Sequence, residues 1–289
     1  MIIDAHHHVW DPARRAHPWL DGLSSLRRRF ALSDYAQAAA PQGVTASILV
    51  QVLADVTETE EFLALAAATQ DSGGLPVAGV VGWVDLTGPD VAGEVARLRE
   101  LPGGDRLAGI RHLVQDEPDP GFLDRPEIRR GLRAVGAAGL VYDLLVRPPQ
   151  LPAALRVTAD LDAVSFVLDH GAKPPISGRQ LQPWASQMAD LAARPNVTCK
   201  VSGLVTEAGP GWRPEQIAPY VEVLAQAFGP GRLLFGSDWP VCTLAATYAE
   251  VAEHARSQLS RQFSPAELHG VLAANAVRVY CLPSSGARA

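Results

Sequence analysis

Two histidines near the N-terminus have the spacing of paired ligands or paired hydrogen-bond donors. His6 and His8 follow a short apolar run at residues 2–5. Because residues i and i+2 of a strand point to the same side, their two imidazoles are expected to converge on one point. There they can ligate a metal ion or donate hydrogen bonds to a substrate. His7 is expected to point to the other side, as a packing residue.

A carboxylate and a third histidine occupy comparable positions further along the chain. Asp238 follows the apolar run at residues 233–235, and His170 follows the run at residues 164–168. If both runs are strands of one closed barrel, Asp238 is placed to take a proton from a water molecule. The alternative for Asp238 is a helix N-cap or a turn, and the alternative for His170 is a structural histidine.

Short apolar runs recur along the chain and alternate with longer segments rich in Ala, Leu, Glu and Arg. Continuous apolar runs are typical of strands that are buried on both faces. Among the helix signals, Ser264 with Glu267 predicts a capping box, and Thr57 with Glu60 predicts another. Strands alternating with helices predict parallel βαβ units. The runs are residues 2–5, 46–52, 77–84, 107–112, 140–146, 164–168, 197–201 and 233–235.

Eight such units predict a single (β/α)8 barrel, the TIM-barrel fold, over residues 1–289. The length agrees, since one barrel commonly takes about 250 residues. A doubly wound sheet is disfavoured because no Gly-x-Gly-x-x-Gly follows the first run. The segment at residues 10–32 is long for a loop after a strand, and such loops are often functional lids. Whether this one is a lid is left open by the sequence.

Each predicted strand ends in polar residues, although burying a polar group without a partner costs several kcal/mol. Active sites of such barrels lie at the C-terminal ends of the strands, so we predict one catalytic centre there. Arg111 and His112 suit a carboxylate, a hydroxyl or a developing oxyanion. Lys200 and Ser202 are weaker candidates that also suit a supporting role. In chain order the strand ends are His6 to His8, Gln51, Trp83 with Asp85, Arg111 with His112, Tyr142 with Asp143, Asp169 with His170, Lys200 with Ser202, and Ser237 with Asp238.

Composition argues against several classes of protein. Lys and Arg number 25 against 31 Asp and Glu, so a net charge of −6 does not favour nucleic acid. No apolar run reaches the roughly 18 residues of a membrane span, and the N-terminus lacks the pattern of an export signal. Three cysteines, Cys199, Cys242 and Cys281, fit no zinc ribbon and predict buried free thiols in the cytoplasm. The oligomeric state is not indicated.

Several segments resemble one branch of the amidohydrolase superfamily, of the amidohydrolase-2 type. The block around Asp238 is the most specific of them, and the His-x-His block is less so. The branch contains lactonases that act on sugar-acid lactones, such as fuconolactone and rhamnonolactone, and on dicarboxylate lactones. The resemblance runs from residue 1 to about residue 282. Its blocks are residues 3–11, 109–112, 168–170 with 173–174, 199–204 and 235–242.

The resemblance implies a barrel that hydrolyses a lactone, most directly a sugar-acid 1,4- or 1,5-lactone. It implies a site centred on His6, His8, His170 and Asp238, with Asp238 activating the water. The histidines, or an ion that they hold, are then expected to polarise the lactone carbonyl. We predict substrate contacts from Arg111, His112, Trp239, Lys200, Trp83 and Gln51.

The resemblance also limits the metal content. Binuclear members of the superfamily need a Lys on strand four and a His on strand five, where this chain has Arg111 with His112 and Tyr142 with Asp143. At most one ion, zinc or another divalent metal, is therefore expected on His6, His8, His170 and Asp238. The branch also resembles metal-free enzymes, so the ion is not required by the resemblance. Two alternatives remain open: a metal-dependent decarboxylase of the same superfamily, and a non-catalytic protein that binds sugar acids.

Overall fold

The computed structural model, which describes residues 1–70 and 74–283, has one sheet of eight parallel strands. Each strand pairs with its neighbours in chain order, as consecutive βαβ units require. The predicted strands are confirmed, with bounds that differ by a few residues at their ends. They are β1 (Ile2–His7), β2 (Val44–Val50), β3 (Val77–Gly82), β4 (Leu107–His112), β5 (Val141–Leu144), β6 (Phe166–Leu168), β7 (Val197–Val201) and β8 (Leu233–Phe235).

The sheet closes where the segment after β8 lies beside β1. His7 and Trp239 form a parallel bridge, and the amide of His8 donates a hydrogen bond to the carbonyl of Trp239 at 2.7 Å. One residue earlier, the amide of Asp238 donates to the carbonyl of His6 at 2.8 Å. The fold is therefore the predicted (β/α)8 barrel, and its closure brings Asp238 beside His6.

Helices connect the strands and cover the outside of the barrel. They are α1 (Leu32–Ala39), α2 (Val56–Gln70), α3 (Val91–Arg99), α4 (Pro126–Ala137), α5 (Leu151–Asp160), α6 (Trp184–Ala192), α7 (Leu204–Ala208), α8 (Pro214–Phe228), α9 (Tyr248–Ser260), α10 (Pro265–His269) and α11 (Asn275–Val279). The capping box of Ser264 and Glu267 is confirmed at the start of α10. The box predicted for Thr57 and Glu60 is wrong, because α2 already begins before Thr57 and Asp55 accepts the Thr57 amide at 2.9 Å. In the described part of the chain, no helix is both long and apolar enough to cross a membrane.

The lower half of the barrel interior is apolar, and the C-terminal helical segment closes it from below. The cluster that lies there draws side chains from strands around the barrel. A polar layer can therefore sit above it without reaching the bottom of the barrel, and this is where the candidate site lies. The cluster comprises Ile3, Ala5, Ile48, Val50, Val81, Val141, Val167, Leu234, Ala273, Ala276, Tyr280 and Leu282.

The long segment at residues 10–32 packs around its own apolar side chains. Trp10 and Phe30 pair through two backbone hydrogen bonds of 3.0 and 2.9 Å. The indole of Trp10 donates to the carbonyl of Leu26 at 3.1 Å and its ring packs against Trp19 with centroids 5.0 Å apart, and Leu20 is buried in the same segment. The segment is thus a loop with its own packed side chains, and it lies next to the end of β1.

The three cysteines are free thiols, as predicted. Cys199 and Cys242 are buried in the barrel wall and beside the site. The prediction of burial is wrong for Cys281, which is exposed because it follows the last helix at the surface.

Candidate active site

An irregularity in β1 turns His6 and His8 into the barrel. The pairing with β2 shifts by one residue between Asp4 and His7, which is the signature of a β-bulge. The side chains of Asp4 and His7 point outward, where they contact Tyr35 of α1. Strict alternation along β1 would instead have placed His7 inside the barrel with Ile3, which belongs to the interior cluster. The predicted orientation of the three histidines is confirmed, but it depends on this bulge.

The four residues predicted as the centre of the site lie together at the C-terminal ends of the strands. The Nε2 atoms of His6 and His8 are 3.1 Å apart. Oδ1 of Asp238 lies 3.8, 3.5 and 3.9 Å from the Nε2 atoms of His6, His8 and His170, respectively. All four side chains are buried, and Nδ1 of His170 is held by the Ser202 hydroxyl at 2.8 Å.

Burial and proximity set the charges of this cluster. Burial lowers the pKa of His170 to about 4, although Asp238 and Asp169 raise it in part. Burial likewise lowers the pKa of His8, and it lowers that of His6 well below 6.5. Burial acts to raise the pKa of Asp238, but the three histidines outweigh it and hold that pKa well below 3.8. At neutral pH the cluster therefore combines neutral imidazoles with an ionised carboxylate.

Asp238 has a constrained backbone as well as a perturbed side chain. Its φ is 58°, in the left-handed region that residues other than glycine rarely adopt. Such conformations cost on the order of 1–3 kcal/mol and are held by the surrounding structure. Here the constraint comes from the hydrogen bond of the Asp238 amide to β1 and from the Cys242 amide, which donates to the Asp238 carbonyl at 2.8 Å.

A buried network of four charges lies beneath His6. Nζ of Lys200 is 2.6 Å from Oδ2 of Asp143 and 2.9 Å from Oδ1 of Asp169. Nη1 of Arg111 is 2.9 Å from Oδ2 of Asp169. Two cations and two carboxylates therefore balance in a region that is closed to solvent. Removing any one of them would leave an uncompensated buried charge, which typically costs about 3–5 kcal/mol.

Two of the predicted substrate-binding residues belong to the floor of the site, by which we mean the buried polar side chains beneath His6. Lys200 and Gln51 are completely buried. Oε1 of Gln51 accepts a hydrogen bond from Nη2 of Arg111 at 3.1 Å, and its backbone carbonyl also accepts from Arg111. Both side chains are thus engaged with protein partners, and contact with a substrate stays a prediction for both.

Three other predicted substrate-binding residues lie higher, around the rim. The Trp83 indole donates to Nδ1 of His112 at 3.0 Å, so Nε2 of His112 carries the hydrogen that Glu117 accepts at 2.7 Å. Trp83 and His112 are partly exposed, so contact with a substrate stays a prediction for both. Trp239 is buried and its ring packs against Phe30 with centroids 5.5 Å apart, so its predicted contact would need an edge of the ring.

Lys173 is a site residue that the sequence analysis did not single out. It ends a left-handed stretch that begins at His170, with φ of 50°, and its side chain is partly buried. Burial lowers the pKa of Lys173, and the charges of Asp238 and Glu207 act against this. Its ammonium group has no hydrogen bond or ion pair with any residue that the structure describes. The sequence signal for Lys173 is the family resemblance at residues 173–174, which does not by itself assign a role to the lysine.

The residues fit one divalent ion. A tetrahedral zinc ion with bonds of about 2.0–2.1 Å separates its ligand atoms by roughly 3.3 Å. The spacings of 3.1, 3.5 and 3.8 Å among His6, His8 and Asp238 are compatible with that arrangement. Neutral imidazole and carboxylate are also the donors that zinc prefers. Lys200 forms ion pairs with Asp143 and Asp169, so the charges of these two carboxylates are already neutralised.

We expect no more than one tightly held divalent ion per chain. The reason is that Lys200 and Arg111 occupy the carboxylates that a second ion would need. Elemental analysis of extensively dialysed protein measures the stoichiometry, and Asp238→Asn is the control that should lose the single ion. Two equivalents that both survive dialysis would contradict the prediction.

Comparisons with known proteins extend over most of the chain. A family model described as Amidohydrolase matches residues 3–282. An L-fucono-1,5-lactonase of Burkholderia multivorans is 38% identical, over 98% of this chain and 97% of its own. An L-fucono-1,5-lactonase of Burkholderia ambifaria is 39% identical, over 86% of this chain and 83% of its own. The solved structure of an amidohydrolase from Burkholderia multivorans with bound zinc has a TM-score of 0.90 at 38% identity, over 98% of this chain and 100% of that one.

Proposed function

The chain belongs to the amidohydrolase family, and from that premise we propose that it hydrolyses the lactone of a sugar acid. L-Fucono-1,5-lactone is the first substrate to test, because it is the one named for relatives that are 38% and 39% identical. The observation that carries the proposal is the buried carboxylate of Asp238, which lies within 3.9 Å of the imidazoles of His6, His8 and His170 at the top of the barrel. The carboxylate stays ionised at neutral pH because its pKa is held low, so it can accept a proton from water and returns that proton readily.

In the proposed reaction, Asp238 accepts a proton from a water molecule, and the water oxygen attacks the lactone carbonyl carbon. The Nε2–H group that His6 presents to the site and the free ammonium of Lys173 stabilise the negative charge that develops on the carbonyl oxygen. The bond between the carbonyl carbon and the ring oxygen then breaks, and Asp238 returns the proton to that oxygen. The product is the open hydroxy acid, which ionises and releases one proton to the solvent.

No covalent intermediate is needed for this chemistry. The sequence contains no Gly-x-Ser-x-Gly motif, and burial raises the pKa of the Cys199 thiol beyond the range where it ionises. A divalent ion on His6, His8 and Asp238 would supply Lewis acidity toward the carbonyl when bound. We propose zinc as this ion, and the elemental analysis described above tests its identity.

The other predicted functions receive less support. The relatives at 38% and 39% identity are lactonases, which favours ester hydrolysis over decarboxylation. A binding protein has no need of a base whose pKa is held low among imidazoles, so the charge pattern around Asp238 favours an enzyme. We further propose a small-molecule substrate, no nucleic-acid or membrane partner, and a cytoplasmic location, in keeping with the net charge of −6 and the free thiols.

The proposal is tested with a panel of sugar-acid and dicarboxylate lactones and a pH-indicator dye. We expect proton release above the uncatalysed rate, fastest with five- or six-membered aldonolactones, and one solvent oxygen incorporated into the new carboxylate. A carboxylated aromatic substrate, assayed for carbon dioxide, serves as the control for decarboxylation. If the lactones give no release above background and carbon dioxide appears, the decarboxylase replaces the lactonase.

We expect kcat/KM to stay constant from pH 7 down to about pH 5 and to fall below that. The site requires neutral histidines and an ionised Asp238. The pKa of His170 is lowered to about 4, so its neutral form is present above that value, while the pKa of Asp238 is lower still. Initial rates across pH 4 to 7.5, corrected for spontaneous hydrolysis and for reversible unfolding, measure this limb. An apparent pKa near 6.5 would show that the histidines are not shifted as the geometry requires.

A further inference from the structure

We propose that Lys200 and Asp169 form an alternative pair of partners for Nδ1 of His6, and that they decide which nitrogen of this ring carries its hydrogen. One arrangement makes His6 a hydrogen-bond donor within the site, and the other makes it a metal ligand. The neighbours of His8 fix the position of its hydrogen, and His8 in turn constrains His6.

Nδ1 of His8 lies 2.7 Å from the backbone carbonyl of Val50. A carbonyl oxygen only accepts hydrogen bonds, so Nδ1 of a neutral His8 carries the hydrogen. Nε2 of His8 is then a bare acceptor that points toward His6. A backbone carbonyl at the other ring nitrogen commonly fixes the tautomer of a histidine in this way.

The contact between the two rings then fixes His6 in the absence of an ion. Nε2 of His6 lies 3.1 Å from the bare Nε2 of His8. Two lone pairs would repel at that distance, so Nε2 of His6 must carry the hydrogen and donate it. Nδ1 of His6 is then bare and requires a donor. Nζ of Lys200 supplies it at 3.2 Å and also donates to Asp143 at 2.6 Å, while its contact with Asp169 at 2.9 Å is an ion pair.

Arg111 does not offer a competing arrangement in the ion-free site. Its Nη1 lies 3.3 Å from Nε2 of His6 and could donate to that atom if it were bare. That choice would leave the bare Nε2 atoms of His6 and His8 facing each other at 3.1 Å without a hydrogen between them. Nη1 does not lose its other contact in the ion-free arrangement, because it still donates one of its two hydrogens to Asp169 at 2.9 Å.

The second arrangement becomes favourable when a cation binds. Metal ligation by both rings requires bare Nε2 atoms on His6 and His8. The hydrogen of His6 then belongs on Nδ1, where Oδ1 of Asp169 lies 3.2 Å away and accepts it. A donor and an acceptor thus flank the same nitrogen at the same distance, and the ring changes role without any large movement of heavy atoms. Binding of an ion and donation by His6 Nε2 are consequently exclusive.

The direct test is the tautomer of His6, read by long-range proton–nitrogen correlation spectra of protein labelled with ¹⁵N-histidine. The chain has 8 histidines, and a His6→Gln variant assigns the signal. In the metal-free protein we expect hydrogen on Nε2 of His6 and on Nδ1 of His8. Saturation with zinc should move the His6 hydrogen to Nδ1. Hydrogen on Nδ1 of His6 in the metal-free protein would overturn the proposal, whatever the substrate proves to be.

Lys200→Met provides the matching perturbation, because it keeps an unbranched side chain only one atom shorter and removes the donor. We expect the His6 hydrogen to shift to Nδ1 without zinc and zinc affinity to rise about tenfold or more, measured by competition with a chelating dye. Loss of a partner usually lowers metal affinity by about 10- to 100-fold, but Lys200 opposes the tautomer that binds the ion, so its loss should act in the other direction. Lys173→Met is the control, since it removes a cation near Asp238 but not at Nδ1 of His6. It should leave the tautomer unchanged. An unchanged tautomer in Lys200→Met would contradict the proposal, and if that variant does not fold, the zinc titration of the parent decides.

Discussion

Asp238→Asn is expected to lower kcat for lactone hydrolysis by a factor on the order of 100 or more, the usual effect of removing a general base. Asparagine keeps the size of the side chain and cannot accept the proton of the attacking water. The backbone of residue 238 should hold its place, because its amide still donates to the His6 carbonyl. The loss should therefore appear in kcat, with the fold retained.

Steady-state kinetics with the best lactone of the panel measures this effect. Asp85→Asn is the matched control, since Asp85 is an exposed aspartate after another strand and its carboxylate is bound to Thr87 at 2.6 Å. The control should stay within about twofold of the parent. If Asp238→Asn also remains within about threefold, Asp238 is not the base and the proposed mechanism fails at its first step.

Asp4→Ala is expected to reduce the free energy of unfolding by about 3 kcal/mol or more. The Asp4 carboxylate is completely buried and accepts five hydrogen bonds. Its removal leaves those donors buried without a partner, at a cost of about 1–3 kcal/mol for each that cannot relax. The donors are the amides of His6 at 3.1 Å and Ser237 at 2.8 Å, and the hydroxyls of Ser237 at 2.6 Å and of Tyr35 and Tyr248 at 3.0 Å each.

The same substitution should impair the reaction, because Asp4 connects the bulge beneath His6 to the residue that precedes Asp238. Urea unfolding followed by circular dichroism gives the stability change. Tyr248→Phe is the matched variant that removes one of the five donors while leaving the carboxylate, and it should cost about 1 kcal/mol. A loss below 1 kcal/mol in Asp4→Ala would mean that the network contributes little.

Much of the architecture can be predicted from local patterns. Eight apolar runs, each bounded by helical segments, identify the strands and their parallel arrangement because burial on both faces leaves a continuous apolar signature. The polar residues that end those runs identify the face of the barrel that carries the site. The helix starts are less regular: Ser264 and Glu267 form the predicted box, whereas Thr57 lies inside α2 because Asp55 takes the capping position.

The roles of individual polar residues are harder to predict, because they depend on depth inside the barrel. Lys200 and Ser202 lie two residues apart on the same chain segment. The first is completely buried beneath His6, whereas the second holds the ring of His170 beside Asp238. The composition of a strand end does not distinguish a residue of the floor from one that faces the substrate. The position of Lys173 is hard to predict for a related reason, since only the left-handed turn after His170 brings it back toward Asp238.

The sequence by itself determined the barrel, the set of polar strand ends and the group of His6, His8, His170 and Asp238. These follow from side-chain period and residue type, which are local properties of the chain. The tertiary structure alone decided the bulge in β1, the depth of each polar side chain in the barrel and the hydrogen position on His6. Each of those depends on partners that are distant in the chain, such as Ser237 for Asp4 and Lys200 for His6. Contacts of that kind exist only once the barrel has closed, and they set the orientation and protonation of the groups that carry the chemistry.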